Sequence, residues 1–374
     1  MKQLFFSLFL ATIILACKED SKDKSISLKV YSNTSYSHEI IVGDLDIPWG
    51  FTFLPDGSML INEKQGELIR FKEGRKTIIN GLPDIKVQGQ GGLMDIELHP
   101  NYSENGWIYI SYATEEGEGN GANTALMRFQ LEGNNIVNKK VLYKANPNSK
   151  RGQHFGSRIV FDNEGYLYFT IGDRGNRDVN PQNIKRDGGK VYRLHDDGRI
   201  PVSNPFVKER DAKMAIFSYG HRNPQGMEKH PTTGEIWTHE HGPKGGDEIN
   251  IVASGKNYGW PKASYGINYS GTSFTDKTSI PGMEDPIHHW TPSIAPSGMA
   301  FVTSNLYPEL KGNLLVGSLK FQYVSHCILN GSKVVKEEKI LEGLGRVRSI
   351  EQGPDNYIYV GVENVGIVRL NPKK

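Results

Sequence analysis

Cysteine is scarce in this sequence, with only Cys17 and Cys327 among 374 residues. Two cysteines cannot supply the set of disulfides that holds small secreted domains together. If Cys17 is modified at the N-terminus, Cys327 has no partner within the chain, and we interpret it as a small buried apolar residue without thiol chemistry. The fold must therefore depend on its own hydrophobic core.

An excess of charge of one sign is also missing. The chain has 44 basic and 42 acidic side chains, a net charge of +2, which gives no electrostatic reason to expect nucleic acid as a partner. The mean hydropathy of −0.49 excludes several membrane spans. Disorder is excluded too, because 10% of the residues are aromatic and provide surface to bury.

The N-terminal segment has the features of an export signal. A basic Lys2 precedes an apolar run over 4–16 that is too short for a transmembrane helix, and Ala16 stands before Cys17. The ILAC segment at 14–17 resembles the bacterial lipobox, whose cysteine is lipidated. We predict a signal peptide over 1–16, a lipidated Cys17 with a charged flexible tether over 17–36, and an exported lipoprotein on the periplasmic side of a membrane or at the cell surface. An uncleaved anchor helix is the alternative.

Glycine is abundant where cysteine is not, and it marks a repeat. The 42 glycines and 19 prolines indicate many turns and short strands. A turn residue followed by an alternating apolar strand recurs six times, with a proline a few residues upstream in five copies. The copies are GSMLI at 57–61, GWIYI at 106–110, GYLYF at 165–169, GEIWT at 234–238, GNLLV at 312–316 and NYIYV at 356–360.

These repeats predict an all-β protein with a six-bladed β-propeller over 37–374. Units of roughly 45 to 80 residues with about four short strands each are typical of propeller blades. We expect the ring to close by pairing of 39–42 with 367–370, and the long insertions between the third, fourth and fifth repeats to gather on one face. A β-sandwich, or several small tandem domains, is the competing interpretation.

Four polar loops between the repeats carry the candidate chemistry. His154 lies in a glycine-flanked loop, where a histidine is an acid–base candidate, although a lone histidine is more often structural. The Arg222–Asn223 pair offers donors for carboxylates or polarised oxygens, or merely ties loops together. The carbonyls of Gly242 and Pro243 are hard oxygen ligands that suit Ca²⁺. The alternative is that this segment is a plain turn. An acidic pair that includes Glu248 fits either a metal ligand or a solvated strand start.

Taken in order, these loops resemble the soluble quinoprotein sugar dehydrogenases, in particular their aldose sugar dehydrogenase branch, which use pyrroloquinoline quinone (PQQ). The resemblance extends from 47 to 360. Its sharpest motifs are GQGGL at 89–93, HFGSR at 154–158, GHRNPQG at 220–226, HGPKGGDE at 241–248 and NYGWP at 257–261. The family fold is a six-bladed propeller, in agreement with the repeat count.

The resemblance implies roles for the residues that react. His154 matches the general base that removes the proton of the sugar C1 hydroxyl, after which a hydride passes to PQQ. Gln90 matches a residue that hydrogen-bonds the sugar beside that hydroxyl and contacts the cofactor. Arg222 and Asn223 match cofactor contacts, and Arg222 is placed to stabilise negative charge on the quinone oxygen.

The resemblance also implies the groups that hold the cofactor and the metal. Lys320, Arg346 and Arg348 match the cations that bind the PQQ carboxylates. The carbonyls of Gly242 and Pro243 match ligands of a Ca²⁺ that polarises PQQ. Glu248 and Tyr258, the latter through its carbonyl, match a second, structural Ca²⁺ site. The residue before His154 is Gln153, where some members carry Asp, so a carboxylate that orients the imidazole is unassigned.

The expected function is oxidation of aldoses at C1 to lactones, dependent on PQQ and Ca²⁺, with electrons passed to an external acceptor by a monomer or homodimer. A Ca²⁺-dependent propeller lactonase is one alternative, and the set of cations for an anionic cofactor argues against it. A non-catalytic, lipid-anchored propeller that binds carbohydrate or protein is the other.

Overall fold

The computed structural model describes residues 30–32 and 36–373. Within these residues the regular structure is 25 strands and one short helix, α1 (Tyr102–Asn105). The predicted signal peptide, Cys17 and most of the predicted tether lie outside the described residues. No helix of the described part is long and apolar enough to cross a membrane.

The described strands form six sheets that follow one another along the chain as the blades of a propeller, and each blade contains four antiparallel strands. Blade 1 contains β3 (Pro48–Phe53), β4 (Met59–Glu63), β5 (Glu67–Lys72) and β6 (Arg75–Ile79). Blade 2 contains β7 (Leu93–Leu98), β8 (Ile108–Thr114), β9 (Asn123–Glu132) and β10 (Asn135–Lys144). Blade 3 contains β11 (Ile159–Phe161), β12 (Leu167–Ile171), β13 (Lys190–Leu194) and β14 (Ile216–Tyr219).

The second half of the ring repeats this pattern. Blade 4 contains β15 (Pro224–Lys229), β16 (Ile236–Glu240), β17 (Asp247–Ile251) and β18 (His288–Trp290). Blade 5 contains β19 (Pro296–Phe301), β20 (Leu314–Ser318), β21 (Tyr323–Asn330) and β22 (Lys333–Ile340). Blade 6 contains β23 (Val347–Gln352), β24 (Ile358–Val362) and β25 (Gly366–Leu370), completed by β2 (His38–Gly43). The prediction of an all-β, six-bladed propeller is confirmed, and the sandwich interpretation is wrong.

The ring closes between the two ends of the chain. β2 pairs antiparallel with β25, with Glu39 opposite Arg369 and Val42 opposite Ile367, as the sequence predicts. This pairing gives blade 6 its outer strand and joins distant parts of the chain, so that no blade has to fold as an independent unit. A further strand, β1 (Val30–Ser32), pairs parallel with β22 and lies within the segment 17–36.

The six repeated turn residues share one backbone conformation. Five are glycines with φ between 66° and 80°, a region that side chains with a Cβ rarely adopt, and the sixth is Asn356 at φ 68°. Asparagine tolerates this conformation better than other residues, which explains its place in the series. The repeats follow from this turn, because each turn joins the first strand of a blade to its second.

Apolar side chains pack between neighbouring blades. Six clusters of the described residues lie one between each pair of adjacent blades, such as Trp237 and Ile249 of blade 4 against Val316 of blade 5. Cys327 is free and buried in that same cluster, as predicted for a small apolar residue. A seventh cluster packs Trp49 and Met94, of blades 1 and 2, with Phe155. Because the core is distributed around the ring, the loops at the end of the central tunnel are free to carry polar groups.

Two of the long insertions reach one end of the propeller, and one does not. The loop 172–189 joins the ends of β12 and β13 at which Ile171 pairs with Lys190, whereas the loop 195–215 begins at the opposite end, beyond Leu194. The expectation that all insertions gather on one face is therefore wrong for 195–215, because successive strands alternate in direction. The insertion 252–287 also starts at the far end, but its residues run beside β14, and the Trp260 amide donates to Gly220 O at 2.9 Å.

Candidate active site

His154 lies in the loop between blades 2 and 3 and is held by two hydrogen bonds. Its ring Nδ1 is 2.6 Å from Asp173 Oδ1, and its backbone amide donates to Gln90 Oε1 at 2.8 Å. The His154 side chain is 12% exposed, which leaves one edge of the imidazole open to a ligand. Because the carboxylate fixes the proton on Nδ1, Nε2 is the ring nitrogen available to accept a proton.

The loop that carries His154 is fixed by the residue next to Asp173. Arg174 is buried, and its guanidinium donates to the carbonyls of Arg151 and Gln153 and stacks over the Phe155 ring at 3.4 Å. His154 has φ 58°, a conformation that a residue with a Cβ keeps only when its surroundings enforce it. Arg174 therefore presents the imidazole in one orientation.

Asp173 is a buried acceptor of three hydrogen bonds. Oδ1 accepts from His154 and from the Gly175 amide at 2.6 Å, and Oδ2 accepts from Trp260 Nε1 at 2.9 Å. Burial opposes ionisation of this carboxyl, but the hydrogen bond and charge of His154, with Arg222 and Trp260, outweigh burial and lower the Asp173 pKa. Asp173 is therefore an anion at neutral pH.

The pKa of His154 is lowered as well. Burial is the main cause, the Arg222 charge acts in the same direction, and Asp173 only partly compensates. The imidazole is therefore neutral at neutral pH, the form that a general base requires.

Asp173 is the orienting carboxylate that sequence reasoning left unassigned. It lies 19 residues after His154, in the glycine-flanked loop that follows β12. The sequence marked that loop as polar but gave no reason to connect it with the imidazole. The sequence shows only an aspartate in a polar loop at the end of a buried strand. Without the fold, this is weak evidence for a partner of His154.

Arg222 and Asn223 follow β14 and lie beside this pair. The Arg222 guanidinium donates to His241 O at 3.0 Å and lies 5.3 Å from the Trp260 ring, while its amide is held by the Glu240 carboxylate. Asn223 Oδ1 accepts from the Gly156 amide at 3.1 Å. Its Nδ2 is buried and has no hydrogen-bond partner in the described residues, so this donor is available to a ligand.

His241 connects Arg222, which donates to its carbonyl, with the first strand of blade 5. Its Nε2 lies 2.6 Å from Pro296 O. Burial, together with the charges of Arg222 and Arg348, lowers the His241 pKa to about 3. The His241 imidazole is therefore neutral at neutral pH, although it lies near both Arg222 and Arg348.

The three predicted cofactor cations are not equivalent. Arg346 and Arg348 both bind the buried Glu363 carboxylate, with Arg346 Nε at 2.5 Å, so that two positive charges share one negative charge. Arg346 also donates to Leu319 O at 3.0 Å, which brings it next to Lys320. Lys320 is exposed, and its ammonium lies 4.8 Å from the Phe321 ring. No sequence motif identified Glu363, whose carboxylate reduces the net positive charge of this cluster.

The loop with Gly242 and Pro243 is closely packed. The Gly242 amide donates to Asp247 Oδ1 at 2.8 Å, and Pro243 O accepts from the Ile267 amide at 3.1 Å. A Cβ on Gly242 would lie 2.1 Å from the carbonyls of Gly245 and Gly246, so only glycine fits there. A carbonyl oxygen has two lone pairs, so Pro243 O keeps one for a cation.

Glu248 lies directly opposite Glu240 on the neighbouring strand. Burial and the Glu240 charge raise the pKa of Glu248 well above its usual range. Asn250 Nδ2 lies 3.4 Å from both carboxylates, and its buried Oδ1 has no hydrogen-bond partner among the residues that the structure describes. Two carboxylates and an unpaired amide oxygen suit a hard cation, which would relieve their repulsion.

The Tyr258 side chain is fully engaged by neighbouring residues. The hydroxyl donates to Ile251 O at 2.6 Å and accepts from the Ala253 amide at 2.8 Å, and the ring stacks on His221 at 4.5 Å. Only the carbonyl is left as a metal ligand. The described residues contain no group of three or more His, Cys, Asp or Glu side chains that could hold a metal ion, so calcium sites here would depend on backbone oxygens.

The site thus combines an oriented neutral base, a guanidinium beside it and a separate group of cations. Such an arrangement, at one end of a six-bladed propeller, suits removal of a proton while negative charge develops nearby. A family model for glucose/sorbosone dehydrogenases matches residues 45–369. The chain belongs to this family and is an oxidoreductase.

Individual relatives agree with this assignment. The aldose sugar dehydrogenase YliI of Escherichia coli (strain K12) is 41% identical over 330 residues, covering 86% of this chain and 88% of the relative. The crystal structure of the soluble aldose sugar dehydrogenase from Escherichia coli in the apo-form superposes with a TM-score of 0.85 at 38% identity, covering 90% of this chain and 99% of that one. A PQQ-bound aldose sugar dehydrogenase from Streptomyces coelicolor superposes with a TM-score of 0.73 at 25% identity, covering 91% and 99%.

Proposed function

We propose that this chain oxidises aldose sugars at C1 to lactones, with PQQ as its electron acceptor and Ca²⁺ bound beside it. The observation that carries the proposal is the contact between His154 and Asp173, at 2.6 Å, in a loop that also positions Gln90. That contact supports the proposal because it leaves Nε2 of a neutral imidazole available, on a propeller whose relatives include an aldose sugar dehydrogenase.

Each residue of the site has a separate role in the proposed reaction. His154 Nε2 accepts the proton of the C1 hydroxyl, and Asp173 stabilises the imidazolium that results. Gln90 uses its Oε1 to accept from the His154 amide, so its NH₂ group remains to donate to the sugar. Arg222 presents a positive charge where the electrons of the C1–H bond are received.

The polar groups present fit PQQ. The unpaired Asn223 Nδ2 and the Arg222 guanidinium offer donors to a quinone oxygen, and Lys320, Arg346 and Arg348 offer positive charge to its carboxylates. When bound, PQQ supplies a carbonyl carbon that accepts two electrons, and Ca²⁺ increases its electrophilicity. The neutral His241 between these groups avoids a competing charge.

The oxygen atoms of blade 4 fit calcium. The carbonyls of Gly242 and Pro243 would hold the ion beside PQQ. Glu248 and the Tyr258 carbonyl, joined by the unpaired Asn250 Oδ1, would hold a second, structural ion.

We further propose that the chain is an exported bacterial lipoprotein. Residues 1–16 would be removed, Cys17 would be acylated, 17–36 would serve as the tether, and 37–374 would form the catalytic propeller. The physiological electron acceptor is then an external molecule that approaches at the membrane. Loss of membrane association in a Cys17→Ser variant, with activity kept, is the expected outcome, and association unchanged would contradict the anchor.

The enzymatic proposal is tested with purified protein, PQQ and Ca²⁺ added separately and together, and an artificial dye as final acceptor. Dye reduction should require both additions and an aldose, and the sugar product should be a lactone. Hydrolysis of added lactones without PQQ would instead identify a lactonase. Binding of sugar without any turnover would identify a non-catalytic propeller, and absence of PQQ binding would overturn the proposal.

A further inference from the structure

Trp260 contacts both charged partners of the candidate base. Its indole Nε1 donates to Asp173 Oδ2 at 2.9 Å, and its ring lies 5.3 Å from the Arg222 guanidinium. The residue is 6% exposed. One side chain thus links the carboxylate that orients His154 with the cation that flanks it.

We propose that Trp260 is a positioning residue, whose indole N–H fixes the Asp173 carboxylate and thereby sets the orientation and basicity of His154. The kinetic part of this inference rests on the proposed function, whereas its spectroscopic part needs only the folded protein. Nothing in the proposal requires Trp260 to touch the sugar or the cofactor.

The hydrogen bonds of Asp173 explain why the indole matters. Oδ1 already serves His154 and the Gly175 amide, and the donor to Oδ2 is Trp260. Without this N–H, a buried carboxylate oxygen would lose its partner, and the carboxylate would be held only by the two donors to Oδ1. The indole also withdraws negative charge from Asp173, which limits the attraction of the carboxylate for a proton on His154.

The other charges around His154 leave this role to Asp173. Arg222 and Arg174 are cationic and disfavour a proton on the ring, and the neutral His241 lies on the same side. Asp173 is the anion that faces the imidazole in the described structure. A change in the partners of Asp173 therefore reaches His154 directly.

Trp260 is itself rigidly held, as a positioning residue must be. Its amide donates to Gly220 O at 2.9 Å, and its carbonyl accepts from Gln182 Nε2 at 2.8 Å. Phe274 packs edge-on against the indole at 5.3 Å. The insertion 252–287 thus delivers one indole to the site and fixes it there.

The test compares Trp260→Phe with Trp290→Phe in the full chain at constant Ca²⁺. Trp290 is a matched control, because its buried indole donates to the Glu337 carboxylate at 2.7 Å, away from His154. The ring nitrogens of ¹⁵N-labelled histidine are followed by NMR against pH without cofactor, with His154→Ala for assignment. Turnover is then measured with PQQ and an aldose.

In Trp260→Phe, we expect the His154 titration midpoint to rise by roughly half a pH unit. We expect kcat to fall on the order of tenfold with KM within twofold, and the acid limb of kcat/KM to move to higher pH. Trp290→Phe should change neither the midpoint nor the profile. A folded Trp260→Phe protein with the wild-type midpoint and kcat would overturn the proposal.

A second variant tests the proposal if Trp260→Phe does not fold. Benzothienylalanine at position 260 keeps the shape of the indole and replaces only the N–H by sulfur, and it should give the same upward shift. An unshifted midpoint, or an unfolded isostere, would show that Trp260 is structural and overturn the proposal. A wild-type protein that oxidises no aldose would refute the proposed function, and the NMR comparison would still decide the role of Trp260.

Discussion

Three glutamates occupy the same position in alternate blades and should make the stability of the propeller depend on pH. Glu97, Glu228 and Glu351 are each the fifth residue of an innermost strand, in β7, β15 and β23. They line a cavity of about 290 Å³ in the central tunnel, together with Asp95, Arg158 and Lys229. Arg158 is paired with Asp95 at 2.9 Å, so Lys229 is the other basic group that faces the three carboxyls.

The size of the expected change in stability with pH follows from the pKa of Glu228. Burial raises the pKa of Glu228 from 4.5 to about 7, and burial with mutual repulsion raises those of Glu97 and Glu351 well above their usual range. Because the folded state holds the Glu228 proton more tightly than the unfolded chain, this stabilisation is complete below pH 4.5 and is lost as the pH rises through 7. A shift of this size corresponds to about 3 kcal/mol, an upper value because water in the cavity would solvate the charge.

The assay is urea unfolding, followed by tryptophan fluorescence between pH 5 and 8.5 at fixed Ca²⁺. Glu228→Gln removes the titration, so relative to the wild type it should gain about 2 to 3 kcal/mol of unfolding free energy between these two pH values. The control is Glu132→Gln, at an exposed residue at the end of β9, which should follow the wild type throughout. Equal pH slopes for Glu228→Gln and the wild type would refute the reasoning.

Three other variants test the site. Asp173→Asn should lower kcat by about 10- to 150-fold, as expected for loss of a charge-assisted hydrogen bond to His154, and a kcat within twofold would contradict this role. Arg222→Ala should lower kcat by roughly 100-fold at an almost unchanged melting temperature, and failure to fold would make the residue structural. Glu363→Gln should reduce the unfolding free energy by roughly 3 kcal/mol, because two guanidinium groups lose their shared counter-charge, whereas Glu39→Gln at an exposed pair should change it by less than about 1 kcal/mol. Equal effects of these last two in urea unfolding would show that Glu363 is dispensable.

Much of the fold could be predicted because every blade of a propeller contains the same local structure. Each blade has a turn with positive φ between its first two strands, and Gly57 and its equivalents mark that turn in the sequence. The closing pair of β2 and β25 was predictable because the last sheet of a propeller often takes a strand from the opposite end of the chain. The end of the propeller reached by the loop 195–215 was harder to predict, since it depends on the direction of β13.

The site could be predicted only where a motif carries it. His154 and Arg222 stand in long loops with distinct residue types, whereas Asp173 reaches His154 through a contact that no local pattern encodes. Glu363 is a similar case. It lies in the turn between β24 and β25 and neutralises Arg346 and Arg348, so three apparently free cations in the sequence are a partly compensated cluster in the structure.

The proposed function depends above all on His154 as the base of an aldose oxidation that requires PQQ. The most direct measurement compares the wild type with His154→Ala for two quantities, the affinity for PQQ and the rate of dye reduction with an aldose. We expect His154→Ala to bind PQQ within a few-fold of the wild type and to lower the rate by about 10²- to 10⁴-fold, with residual activity no longer dependent on a group that titrates below neutrality. A variant that binds PQQ and keeps the wild-type rate would contradict this role of His154.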